Sequence, residues 1–196
     1  MIAGHFGFAA LVKARERQAP LWALMLATVW LDVVFVPLYL AGIETLEWVP
    51  GTHGGYGAGI IHADYTHSLV GALLISALFG ITCGLAWGRR TGLVLALVSF
   101  SHWLLDLVVH RHDMPLLPGH GAPQLPKLGF ALWQWPWAAA CVELALVVLG
   151  AGFYWRAARA VSVSAGVQRR RAGLAGALIL AGGLLVLGLD VSGIPG

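Results

Sequence analysis

Apolar residues run through this chain in long unbroken stretches, and polar positions collect between the stretches instead of alternating within them. Crossing a bilayer core about 30 Å thick takes roughly 20 apolar helical residues. Four stretches reach that length, 21–43, 65–88, 91–110 and 128–155, and 172–190 just does. The pattern predicts an all-α integral membrane protein, a bundle of about five transmembrane helices forming one domain over residues 1–196. Residues 1–12 are also apolar, but twelve helical residues extend only about 18 Å. They are expected to form a short interfacial or re-entrant helix. The basic residues follow this run instead of preceding it, which argues against a secretory signal.

Between the spans lie two longer segments, 44–64 and 111–127. The first carries Glu44, Glu47 and a glycine-rich run at 51–59 that lacks the Lys and Ser/Thr of a phosphate loop, so it reads as a flexible connection. The second holds four of the nine prolines, Pro115, Pro118, Pro123 and Pro126, and is expected to fold as a non-helical cap. Basic residues are distributed unevenly. Lys13, Arg15, Arg17, Arg89, Arg90, Arg156, Arg159, Arg169, Arg170 and Arg171 fall on one side of the predicted bundle, and only Arg111 and Lys127 on the other. The positive-inside rule makes the rich side cytoplasmic and places the C-terminal residues 191–196 outside. Trp22, Trp87 and Trp155 fall at predicted inner ends, with Trp48, Trp133, Trp135 and Trp137 near outer ends, as an aromatic belt requires.

Composition agrees. Hydrophobic residues make up 59% of the chain and charged residues 11%, against about 25% charged in a soluble domain. The deficit excludes an ordinary soluble globule, a disordered tail and a nucleic-acid binder, because the basic pI rests on only 12 Lys and Arg. The expected partner is the lipid bilayer. Cys83 and Cys141 form no Cys-x-x-C and read as small core residues without a disulfide framework.

Against this background the ionisable residues inside spans stand out, since each costs about 2.5–3.5 kcal/mol on insertion scales. They are Asp32 in the first span, His67 just inside the second, His102 and Asp106 in the third and Glu143 in the fourth, with His5 in the N-terminal segment. His102, Asp106 and His110 are spaced i, i+4, i+8 and project from one helix face. An imidazole and a carboxylate at i, i+4 can hold one divalent metal. Alternatively Asp106 orients the His102 ring by accepting its N–H. Helical rise brings Asp32, His102, Asp106 and Glu143 to similar depths, with His5 nearer the arginine-rich side and His67 nearer the opposite one. His110, His112 and Asp113 fall at the aqueous edge and read as a solvated cluster, and His53, His62 and His120 as ordinary loop histidines.

Thr66-His67-Ser68-Leu69 followed by Ser101-His102-x-x-Leu105-Asp106 resembles the bacterial membrane-bound metal-dependent hydrolase-like family, which includes inner-membrane proteins regulated by the SOS repressor. In that family a His-containing N-terminal segment and an acidic motif precede these two motifs. Gly4-His5-Phe6 and Asp32 occupy those places over roughly residues 1–113. Two features depart from the family pattern: Asp32 stands alone where paired aspartates are common, and Asp64-Tyr65 replaces Arg-Gly. The resemblance implies a bacterial inner-membrane location and a divalent ion, zinc first, held by His5, Asp32, His67, His102 and Asp106. The leading functional expectation is an intramembrane metal-dependent hydrolase that cleaves an amphiphilic, lipid-like ester or phosphoester by a metal-activated water. Glu143 or Asp64 would then be the general base. The alternatives are a non-catalytic metal or proton carrier or accessory subunit, and a haem-binding electron-transfer protein.

Overall fold

Nearly every long apolar run folds as a helix, because only a helix satisfies its own backbone hydrogen bonds away from water. The computed structural model describes residues 1–49, 55–119, 125–161 and 166–192. Helices occupy Ile2–Lys13 (α1), Leu21–Thr28 (α2), Trp30–Leu40 (α3), Leu69–Trp87 (α4), Arg89–Val109 (α5), Pro136–Val161 (α6) and Gly166–Ser192 (α7). Two four-residue strands, Thr45–Trp48 (β1) and Gly59–His62 (β2), pair antiparallel between α3 and α4. Among the described residues, four helices, α4 to α7, are long and apolar enough to cross a membrane, and α2 with α3 makes a fifth if the bent pair counts as one span. This is an all-α membrane bundle.

α1 is an interior element. It lies against α6, α2 and α7, and Ala3, Gly4, His5, Gly7, Ala9 and Ala10 are buried. Glycine permits this approach: a Cβ at Gly7 would meet the Leu146 carbonyl oxygen at 2.5 Å, and one at Gly150 would run into the Gly7 carbonyl. Glu143, fully buried on α6, accepts the Gly4 backbone N–H at 2.9 Å. That N–H is one of the donors a helix start leaves unpaired, and a carboxylate there is also favoured by the helix dipole. A buried acid on one helix therefore caps another.

The first predicted span is not a continuous helix. α2 and α3 meet at Val29 with a bend of 49°. At this break Thr28 Oγ1 turns back to the Met25 carbonyl, and the Thr28 carbonyl accepts a hydrogen bond from His102 on α5. The segment expected to be a flexible connection carries the β1–β2 ladder, with Glu47 opposite Ile60. The stretch before α6 is a 3-10 turn at Leu132–Gln134, so the fourth span starts at Pro136 and not at 128. Cys83 is half-buried and packs against the core formed by α1, α2, α4 and α5, whereas Cys141 is exposed on the bundle surface and not in the core. His53, His120 and the C-terminal residues 193–196 lie outside the described residues.

The proline-rich segment seats on the start of α4. Pro115 and Leu116 carbonyls accept from Leu69 N and Val70 N at 3.0 and 3.2 Å, and Met114 bridges Leu128 in both directions. Ser68 completes this helix start, its hydroxyl accepting from Gly71 N at 3.0 Å. α4 and α5 are joined by a single residue, Gly88, at φ +89°, a turn that needs glycine.

Candidate metal centre

Three imidazoles and two carboxylates converge between α1, α3, α4 and α5. Asp32 Oδ1, His67 Nε2 and His102 Nε2 form a near-equilateral triangle with edges of 3.2, 3.4 and 3.5 Å. Asp106 Oδ2 lies beside it, 3.0 Å from His102 Nε2 and 3.7 Å from His67 Nε2. Asp106 Oδ1 receives His5 Nε2 at 3.1 Å, and the His5 ring stacks on His102 with centroids 4.0 Å apart. His5, His67, His102 and Asp106 are buried, whereas the Asp32 side chain is 38% exposed and leaves the cluster an opening.

Hydrogen bonds on the far side of each ring set the tautomers. His102 Nδ1 is 2.6 Å from the Thr28 carbonyl oxygen, which can only accept, so Nδ1 carries the hydrogen. For His67, Nδ1 is 2.9 Å from Thr66 Oγ1, and that hydroxyl lies 2.9 Å from the Glu44 carboxylate. The hydroxyl donates to the carboxylate, so Thr66 Oγ1 accepts from His67 Nδ1–H. In the neutral rings both Nε2 atoms then present lone pairs to each other at 3.2 Å. Two lone pairs repel at that distance unless a cation, a proton or a metal, lies between them. Zinc–nitrogen bonds of about 2.0–2.1 Å place tetrahedral donors about 3.3–3.4 Å apart, which is the size of the observed triangle. Trp103 adds a further restraint, its indole N–H donating to the His67 carbonyl at 2.8 Å. Metal sites are typically organised this way, with outer hydrogen bonds fixing the ligating rings.

Among the described residues, the donors within 4.8 Å of one another fall into two overlapping sets, His5 with His102 and Asp106, and Asp32 with His67 and His102. All five residues expected as metal ligands belong to one or the other. The two acids expected as general bases belong to neither. Glu143 is engaged by the Gly4 N–H and the Tyr56 hydroxyl, and Asp64 lies 3.6 Å from Lys127 Nζ.

The histidine at the helix end differs from its expected solvated state. His110 and Asp113 are buried, His112 alone of that trio being exposed. His110 Nδ1 lies 3.0 Å from Asp113 Oδ1, and its Nε2 faces Asp106 Oδ2 at 3.8 Å. Its ring packs on Trp133 at 4.5 Å between centroids. Glu44 is the other unanticipated member. It is fully buried and accepts from Tyr65 N and Thr66 N at 2.8 Å each.

Tyr56, in the turn between the strands, gives its hydroxyl to Glu143. Burial, and then Glu143, push its phenol pKa well above the ordinary range. The phenol is therefore a neutral donor to an acid that already caps α1. Comparison with protein-family models, with curated proteins and with solved structures returns no match. The site must be read from its own geometry.

Proposed function

We propose that this chain is an intramembrane metal-dependent hydrolase, and that a zinc-class divalent ion is held by Asp32, His67 and His102 with Asp106 alongside. The observation that carries the reading is the His67–His102 pair, with both Nδ1 atoms anchored outward and both Nε2 atoms 3.2 Å apart. The resemblance of the Thr-His-Ser and Ser-His-x-x-Leu-Asp segments to a hydrolase-like family supports it further.

An ion at this site would supply a Lewis acid and lower the pKa of bound water toward about 7. The chain's residues have separate tasks. Asp106 Oδ2 faces the imidazoles and is placed to accept a proton, while His5 holds Oδ1 from the other side and fixes the carboxylate plane. The Thr28 carbonyl and the Glu44–Thr66 pair hold the two rings. Asp32, the most exposed member, marks the side from which an amphiphilic ester or phosphoester would enter. In this reading the general base is Asp106, and Glu143 serves to hold α1 and hence His5. The arginine-rich side faces the cytoplasm of a bacterial inner membrane and the C-terminus lies outside, as the basic residues suggest.

A second reading, a metal or proton carrier, is favoured by the 49° break beside the site, since irregular backbone at membrane depth commonly lines ion pathways. Turnover and flux separate the two. Zinc- or manganese-loaded protein in detergent is assayed on chromogenic lipid esters and phosphoesters. Hydrolysis lost in Asp106→Asn, with metal retained, is expected. Loaded protein that cleaves none of them but passes metal across liposomes would overturn the hydrolase in favour of the carrier.

A further inference from the structure

α6 and α7 run antiparallel and leave a groove between their arginine-rich halves. A Cβ at Gly176 would touch Trp155 and one at Gly183 would touch Val147, which fixes the pairing. The groove holds about 450 Å³ and is lined by Val148, Gly152 and Trp155 on α6 and by Gly173, Gly176 and Leu180 on α7, among others. Each wall runs seven residues, about 10 Å of helix. The chain does not fill this space: a Cβ at Gly152 or Gly173 would meet nothing within 4 Å. An apolar groove that faces lipid selects nothing by itself, because acyl chains are as apolar as its walls. Selection has to come from its ends.

One end is strongly basic. Arg159 follows Trp155 by four residues, and its guanidinium stands over that ring, 5.0 Å from the centroid. On α7, Arg170 precedes Gly173 by three residues. Residues three and four apart share a helix face, so both arginines continue the walls of the groove past its mouth. Both are exposed. No Asp or Glu occurs between Glu143 and Asp190, which lie at the opposite end of the two helices, so α6 and α7 offer these arginines no counter-ion. Arg90, by contrast, has Glu16 at 3.5 Å. The ring holds the Arg159 head near the groove mouth, and a guanidinium presents a planar fork of N–H donors that matches a phosphate. The occupant must therefore be apolar along about 10 Å, anionic at one end and present in a bilayer. An acyl chain beneath a headgroup of net negative charge meets all three conditions.

We propose that this groove seats an acyl chain of an anionic phospholipid, with Arg159 and Arg170 clamping the headgroup phosphate. The site stands apart from the metal centre, so its test is independent of the hydrolase reading.

Native mass spectrometry of the full chain is run in micelles doped with phosphatidylglycerol, phosphatidylethanolamine or phosphatidylcholine of matched acyl chains. Phosphatidylglycerol is expected to be retained over the other two by about fivefold for each arginine that reaches its headgroup. Arg159→Gln should lose about fivefold of that preference, and Arg159→Gln with Arg170→Gln all of it. Arg171→Gln removes the same charge from the opposite face of α7, two residues from Gly173, and should keep the preference. Gly152→Leu puts a side chain into the open groove and should lower phosphatidylglycerol retention without altering charge; it also tests the site if the arginine pair unfolds. Excess soluble glycerol phosphate, which has no chain to seat, should not displace the lipid. Equal retention of the three lipids, or an equal loss in Arg171→Gln, would overturn the proposal, the latter by reducing it to the general attraction of a basic surface. Displacement by glycerol phosphate would overturn it in favour of a free phosphate. Lipid-free dimers broken by Gly152→Leu would overturn it in favour of a second copy of the chain.

Discussion

Thr66→Val removes one hydroxyl from the centre while keeping the shape of the side chain. Thr66 is fully buried and joins the Glu44 carboxylate at 2.9 Å to His67 Nδ1 at 2.9 Å. Without the oxygen, the His67 Nδ1–H loses its acceptor and the ring loses the contact that fixes its tautomer. Glu44 keeps its two backbone donors, Tyr65 N and Thr66 N, on Oε1, while Oε2 loses the Thr66 hydroxyl. Loss of an outer hydrogen bond to a ligating histidine commonly costs about 10–100-fold in metal affinity, equivalent to about 1.4–2.8 kcal/mol. The hydrogen bond to the charged Glu44 adds about 1.5–3 kcal/mol to the stability of the metal-free fold. Competition against a fluorescent zinc chelator in detergent measures the first quantity, and thermal unfolding of the apoprotein the second. Thr66→Ser, which retains the hydroxyl, should stay near wild type in both. Wild-type zinc affinity in Thr66→Val, or equal loss in the serine variant, would refute the role assigned to this hydroxyl.

Three further expectations follow from the same contacts. Gly150→Ala drives a methyl into the Gly7 carbonyl and should destabilise the fold by about 1–3 kcal/mol, the usual range for overpacking. Gly152→Ala, where a Cβ would meet nothing within 4 Å, should be neutral in the same melting assay. Zinc at a free concentration 100 times its Kd should stabilise wild type by about 2.7 kcal/mol. Chelator should reverse the shift, and His102→Gln should show none; a shift unchanged in that variant would place the ion elsewhere. The raised pKa of Tyr56 also gives a sign. The folded state holds the phenol proton more tightly than the unfolded chain, so this contribution is complete below about pH 10 and is lost as pH rises toward the folded value. Alkaline difference spectra of wild type against Tyr56→Phe test this, and a phenolate signal from Tyr56 in the ordinary range would contradict it.

What could be read in the sequence was local. His102 and Asp106 sit four residues apart on one helix, and a 3.6-residue period alone puts them on one face. Asp32 and His67 were conspicuous because apolar spans seldom carry ionisable groups. The supporting contacts are non-local and left little trace in spacing. Glu44 reaches Thr66 across 22 positions, and Tyr56 reaches Glu143 across 87. His110 reads as solvated because it ends a span, yet it is buried once Trp133, from the far side of the proline-rich segment, packs on its ring. The break at Val29 was equally hidden. Neither Thr28 nor Val29 is a strong helix breaker, and what accompanies the break is an acceptor for His102 supplied by another helix. Glu143 illustrates the converse: a buried acid that invites a catalytic reading also caps α1, a contact its sequence position does not show.

The central claim is that His67 and His102 face each other across a metal ion and not across a proton. Metal content of detergent-purified protein, by mass spectrometry, tests it most directly, with wild type beside the His102→Ala, Asp106→Ala double variant. The expected result is about one zinc-class ion per wild-type chain, and none in a double variant that still unfolds cooperatively. Wild type that stays metal-free after incubation with zinc and manganese would contradict the claim. The buried cluster would then be held together by a proton.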